Sequence, residues 1–350
     1  MVSFKFKFKI GILIILCNYF STLRAQSITE IECSGEIVNC LYADDVLNLL
    51  YASCMTYNSN GTKSSSIQKW NGSSWQEIAS TIDGEVKTMI KVNGNLIIGG
   101  SFNYINGSLL KNIAEWKEAN WNAIGAEGLG TSGCIINSLC LFNDTLIAGG
   151  NFGKNAINNL FRWNGTSWLP FQQFIDGNVL SLCNFNNTLY ICGDIEYIDT
   201  LKIHGIAKLS DDSWANLSDS IKGKVFNMST CDGQLYFSGL FGYINENPSG
   251  IIASYNGITI NGLGDGVTCF ITAMHSFENK LYIAGEFIDA DGVSTQKIVS
   301  WNGSSWQVCS FNLNNISQIT SISHYGNSII IAGHLNVNNN ARKIMQNIQQ

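Results

Sequence analysis

Short apolar stretches that close on glycine recur along the chain. LIIGGSF (96–102) and LIAGGNF (146–152) are followed by LYICGDI (189–195) and LYFSGLF (235–241). LYIAGEF (281–287) and IIIAGHL (329–335) complete the series. Each is rich in β-branched or aromatic residues and bounded by Gly or Asn, the pattern of a short strand. A degenerate first copy, LLYASCM (49–55), carries Ser53 or a neighbour at the glycine position. Another apolar stretch runs ahead of each, for example VKTMIKV (86–92), VLSLCNF (179–185) and VFNMSTC (225–231). Turns such as Asn93-Gly94 and Asp232-Gly233 join the two stretches, and these dipeptides favour two-residue hairpins. The apolar positions nowhere adopt the 3.6-residue period of an amphipathic helix.

A second motif keeps phase with the first. Trp70-Asn71-Gly72-Ser73-Ser74-Trp75 returns as Trp163-Asn164-Gly165-Thr166-Ser167-Trp168 and as Trp301-Asn302-Gly303-Ser304-Ser305-Trp306. Its first position falls at Trp70, Trp116, Trp163, Leu209, Tyr255 and Trp301, steps of 46 or 47 residues. Each repeat therefore holds four strands: an inner one, the glycine-bearing one, one ending at the first Trp and one beginning at the second. Four antiparallel strands at this period are the pattern of a β-propeller blade. Solenoid coils are shorter, and strings of sandwiches do not repeat so regularly.

The fold expected is an all-β, seven-bladed β-propeller with four antiparallel strands per blade. Six blades fall at 34–80, 81–125, 126–171, 172–218, 219–264 and 265–310. The seventh joins 311–350 to the N-terminal strand SITEIEC (27–33), which aligns with SWQEIAS (74–80). That strand closes the last blade and removes the open edge. Val86, Ile136, Val179, Val225, Ile271 and Ile319 are the expected inner-strand core. The recurrent Gly marks close backbone approach or a bulge. The paired Trp are expected to stack as a layer between blades rather than to hold carbohydrate.

Composition narrows the class. At 350 residues, length alone suggests two domains; the repeat replaces this with one propeller over 26–350. With 45% hydrophobic and 13% charged residues the chain is not a disordered one. A net charge of −6 argues against nucleic acid as a partner. Residues 1–25 carry Lys5, Lys7 and Lys9 ahead of the apolar GILIILC (11–17) and end on Ala25, which reads as a secretory signal peptide. The apolar run is shorter than the ~20 residues a spanning helix needs. The expected mature chain has no transmembrane segment and is secreted, periplasmic or displayed at the cell surface. Of 11 Cys, none forms a C-x-x-C pair. Cys40, Cys140, Cys183, Cys231, Cys192 and Cys309 replace apolar strand residues and read as buried thiols, while export permits disulfides.

Candidate chemistry is sparse. No zinc-protease, serine-hydrolase or phosphate-loop motif is present. Asp289-Ala290-Asp291-Gly292 and the glycine-rich 262–266 read as turns. The chain has 4 His. His275 and His324 fall on inner strands near the expected channel. Glu286 and His334 follow the recurrent Gly in the same two repeats, and Asp194 takes the equivalent place in the fourth. His275, His324, Glu286 and His334 are the candidate channel residues for metal binding or acid–base work. No cofactor is implied. The Asn-x-Ser/Thr sequons at Asn71, Asn106, Asn164 and Asn302 are explained by Asn-Gly turns, and become glycan acceptors only in a eukaryotic secretory pathway.

The motif pair LYIAGEF and IVSWNGSSWQ resembles the Kelch-like seven-bladed propellers. It is similar to the LYxGGxF…WNGSSW repeats of exported bacterial proteins and to the propellers of fungal cortical polarity markers. Galactose oxidase shares the wider architecture, but its copper-ligand and Tyr–Cys pattern is not recognisable here. The resemblance implies a fold and leaves function open. The expected function is a secreted, monomeric, non-enzymatic binding propeller for a protein or glycan partner, contacted through loops such as 103–111, 195–204 and 241–250. Two alternatives stand beside it: an exported lyase, hydrolase or metal oxidase with its site at the channel mouth, and a structural cell-surface component.

Overall fold

The computed structural model describes residues 36–335, apart from 154–157, 222, 245–246, 265, 268, 296 and 310–315. Every described element is a β-strand. In the second repeat, inner strand Glu85–Val92 pairs antiparallel with Asn95–Ser101. That strand pairs with Ile113–Lys117, which pairs with Asn120–Ala123. Asn93 and Gly94 close the first hairpin with φ of 50° and 83°, the left-handed pair such a turn requires.

Each inner strand carries a β-bulge at an equivalent place, and the last has a second at Ser317. The register skips Asn39, Lys87, Asn137, Leu180, Phe226, Thr272 and Thr320. A bulge leaves one residue unpaired and bends the strand. Here it turns that residue toward the axis: all of these side chains line one cavity of about 380 Å³. The bulge also explains the recurrent glycine. A Cβ on Gly100 would overlap the carbonyl oxygen of Glu85, and one on Gly150 that of Ile135. Gly239, Gly285 and Gly333 face Lys224, Phe270 and Gln318 in the same way. In the first repeat the equivalent partner of Val38 is Cys54, the neighbour of Ser53. Cys54 is disulfide-bonded.

Neighbouring inner strands are laced together beside the bulge. Asn137 Nδ2 donates to Val179 O at 3.0 Å, and Thr272 Oγ1 to Ile319 O at 2.6 Å. Thr320 Oγ1 donates to Val38 O. The serine after a bulge accepts from the next strand: Leu182 N donates to Ser138 Oγ at 3.0 Å and Leu41 N to Ser321 Oγ at 3.1 Å. The bonds to Val38 and from Leu41 join strands some 280 residues apart, so the last described repeat meets the first and the inner strands close a ring.

The sheet count corrects the expectation of seven four-stranded blades. Five blades stand as separate sheets of four or five strands, one from each of the second to sixth repeats. The first and last repeats share a single eight-stranded sheet with the hairpin Tyr104–Ile105 and Ser108–Leu109. Single pairings at strand ends, Ile37 with His334 and Ile82 with Ile105, make the joins. The expected closing strand at 27–33 and the strand around 343–347 lie outside the described residues.

The core is a set of layers between neighbouring sheets. Val86, Ile136, Val179 and Val225 are fully buried, and Ile271 and Ile319 nearly so. Burying such side chains stabilises the fold by about 1.5–3 kcal/mol each. Facing Trp sit directly across the outer hairpin, as in Trp163 opposite Trp168. Their rings lie 5.1–5.5 Å apart and tilted by 51–58°. In these four repeats the rings form a tilted pair across one hairpin, the geometry ring quadrupoles prefer, and the pairs at Trp116 and Trp163 pack, as expected, into the layer shared with the preceding blade. In three repeats the second Trp reaches the preceding blade by its indole N–H: Trp121 donates to Ile78 O, Trp168 to Ile124 O and Trp306 to Leu263 O, at 2.8–3.0 Å.

Among the described cysteines, eight are free and mostly buried. Burial pushes the Cys40 and Cys183 thiols up to about 12, and Cys140 and Cys309 to about 11. These thiols should stay unmodified by a thiolate-specific reagent at pH 8 in the folded protein and react on denaturation, measured by mass spectrometry. Gly150→Ala should lower the stability of the fold by about 3 kcal/mol, the upper range for overpacking, because the obstacle is backbone. Trp121→Phe should cost about 1 kcal/mol for the lost hydrogen bond. Urea unfolding midpoints compare the two.

Candidate functional site

The candidate residues separate into two clusters at opposite ends of the ring. His275 and His324 lie near the hairpins that join each inner strand to its neighbour. His275 comes three residues after its bulge and His324 four after its own. Alternation along a strand therefore points them from opposite sheet faces, and they meet in the seam between adjacent blades. His275 Nε2 and His324 Nδ1 are 2.9 Å apart. The His324 ring stacks on those of both His275 and Phe277, with centroids 5.1 and 4.5 Å away. Its Nε2 meets Asp45 Oδ1 at 2.7 Å. Asp45 comes from the turn after the first inner strand, so three repeats contribute to one line of groups.

Burial, and then the neighbouring His324, push the His275 imidazole down to about 4, against the pull of Asp45. His275 is thus neutral at pH 7. With the tautomer set by its neighbours, it serves as acceptor or donor toward His324 but carries no charge. The line Asp45–His324–His275 can hold and pass a proton. No activated nucleophile stands beside it among the described residues.

Glu286 and His334 lie at the other end, where the loops between the second and third strands emerge. Glu286 Oε2 is 3.5 Å from Lys297 Nζ. Lys297 Nζ also donates to Ser317 O at 2.5 Å, and Ser317 Oγ meets His334 Nδ1 at 3.0 Å. One network thus links Glu286 to His334 across a blade seam. Asp194 shares this end but pairs with Lys224 in a different seam. The four candidates do not converge on the axis, and among the described residues no group of three or more His, Cys, Asp or Glu is arranged to hold a metal ion.

The axial cavity is lined instead by the bulge residues with Glu85 and Asn227. Most of its polar side chains are occupied by the bonds between blades. Lys87 Nζ lies 3.6 Å from Glu85 Oε1, and Glu85 also holds Lys63 at 2.8 Å. Asp289-Ala290-Asp291-Gly292 is a hairpin turn, with Gly292 N donating to Asp289 Oδ1 at 3.1 Å. The sequon residues Asn71, Asn164 and Asn302 cap their turns: each Oδ1 accepts two backbone N–H groups. Sequence reasoning missed Asp45, Phe277, Lys297 and Ser317. Their types carry no motif, and only the ring brings them to the histidines.

No family model matches the chain, the Kelch-like group included, and no curated protein matches it. Solved structures do. The β-propeller domain of the Trilobed protease from Pyrococcus furiosus aligns with a TM-score of 0.51 at 9% identity, over 81% of this chain and 85% of that one. A puromycin-hydrolyzing peptidase of Mycobacterium tuberculosis gives 0.52 at 8% identity, over 85% and 48%. Pyrococcus horikoshii acylaminoacyl peptidase gives 0.50 at 10%, over 83% and 47%. The chain spans about half the length of these two peptidases. The fold and its neighbours define a β-propeller. At these identities the likeness is one of fold alone. Among the described residues no helix is long and apolar enough to cross a membrane.

The His275 site makes stability depend on pH. Its folded value lies below the unfolded 6.5, so the unfolded chain binds the extra proton between the two. Stability from this group is fully present above pH 6.5 and is lost as pH falls toward 4, by ~3 kcal/mol in all. His275→Gln should remove that slope from the pH dependence of urea unfolding while leaving the rest.

Proposed function

We propose that this chain is an exported, monomeric, non-enzymatic interaction propeller. It binds a protein or glycan partner on the face built by the loops between second and third strands and between successive repeats. The distribution of exposed aromatics carries this reading. Tyr57, Tyr104, Phe174, Tyr197 and Phe270 are the exposed aromatics among the described residues, and all of them lie at that end of their strands. The opposite face consists of tight Asn, Asp and Gly hairpins, with Val46, Leu47 and Ile258 as its exposed apolar side chains. Exposed aromatic side chains offer large contact area at low entropic cost and are enriched where partners bind. Export is supported by the basic and apolar pattern of residues 1–25 and by the disulfide at Cys54, since such bonds persist in oxidising compartments.

A combined Tyr104→Ala, Phe174→Ala, Phe270→Ala variant should bind partners at least tenfold more weakly, with an unchanged Tm. The measurement is retention on a glycan array and on immobilised extracellular proteins from the source. A variant changed at Val46 and Leu47 should bind as the parent does. Equal retention by the aromatic triple variant would sink the reading.

A further inference from the structure

The blade walls differ in height. In the second repeat the two innermost strands have 8 and 7 residues. In the fourth they are Ile175–Phe185 and Thr188–Ile198, of 11 residues each. The second strand of the fifth repeat, Gln234–Ile244, also has 11. The seam between these tall blades holds a cavity of about 260 Å³ on the aromatic face. Its lining includes Asp194, Glu196, Tyr197, Lys202 and Lys224.

The walls are built, not accidental. The extended strand turns back on itself, pairing Tyr197 with Lys202 and Ile198 with Leu201. Ile203 N donates to Glu196 O at 2.9 Å, which fixes the rim. Across the seam Lys224 Nζ binds Asp194 Oδ1. Two carboxylates and two ammonium groups cancel, so the cavity has no net charge to attract a phosphate or a divalent cation. It offers strong acceptors and strong donors side by side, next to a tyrosine ring that is 39% exposed. A sugar hydroxyl donates and accepts at once, and an apolar ring face needs an aromatic surface. The volume lies just below the ~300–1,000 Å³ range of small-molecule sites, so it takes one ring-sized unit rather than an extended chain.

We propose that this seam, resting on the reading of the aromatic face as the binding surface, is a subsite for one neutral pyranose unit of a glycan. Tyr197 supplies the platform under the ring. Glu196 and Asp194 accept from hydroxyls, and Lys202 and Lys224 donate to them. Two groups of one ring are thereby read at once.

The test uses the full secreted chain and saturation-transfer NMR with the methyl glycosides of glucose, galactose, mannose and N-acetylglucosamine. Glycylglycine serves as the zwitterionic control. At least one glycoside should bind in the millimolar range. Tyr197→Ala should weaken it at least tenfold with unchanged Tm, and Tyr197→Trp should retain it. The proposal is overturned if no glycoside binds, if Tyr197→Ala binds as the parent does, or if glycylglycine alone binds and is lost in Tyr197→Ala. Should the Tyr104, Phe174 and Phe270 variant lose partner binding while Tyr197→Ala leaves glycoside binding unchanged, the subsite fails and the wider surface stands.

Discussion

The molecule depends on one repeated distortion, the β-bulge near the start of every inner strand. An unbroken ladder would send side chains alternately into the two flanking seams, with none toward the axis. The extra residue breaks that alternation at the same point of every inner strand. It delivers one side chain to the channel, from Asn39 round to Thr320. It also pushes a carbonyl oxygen to where the facing residue would carry a Cβ, so that position is glycine in all later repeats. Just after the bulge, serines such as Ser138 and Ser321 stand ready to accept from the next strand. Channel lining, glycine recurrence and seam bonding are one event seen from three sides.

Closure follows from the same chemistry. The bonds that join the last described inner strand to the first use the same groups as those joining any internal pair. Thr320 and Ser321 act on Val38 and Leu41 as Asn137 and Ser138 act on Val179 and Leu182. The ring thus needs no special latch in its inner layer. At the loop end, Ile37 meets His334 and merges two sheets that the repeat pattern treats as separate. The Trp pairs stiffen the outer layer, and the indole N–H groups of Trp121, Trp168 and Trp306 tie three blades to the ones before them.

Much of this was legible in the chain. Strand positions, hairpin turns and buried inner-strand residues follow from apolar spacing, Asn-Gly and Asp-Gly turns and the 46-residue phase. The recurrent glycine points to close backbone approach or a bulge, and the structure has both, with the bulge on the facing inner strand. The sheet count was not legible, because it turns on single pairings such as Ile82 with Ile105 between strands that the repeat assigns to different blades. The orientation of the Trp rings was not legible either, since spacing sets which rings meet and not the angle between them. Their strand positions place His275 and His324 near the channel, yet the parity of their distance from the bulge sends both into a seam.

Residue types at fixed intervals thus determined the all-β repeat, because strand and turn preferences are local and their period survives in one dimension. The tertiary structure decided which repeats fuse, which face carries the exposed aromatics and which charges become neighbours. Asp45 reaches His324 across 279 residues, and Lys224 reaches Asp194 from the next blade. Such contacts depend on the ring angle between blades and on loop height. Both are set by packing summed around the whole circle, which no single repeat contains.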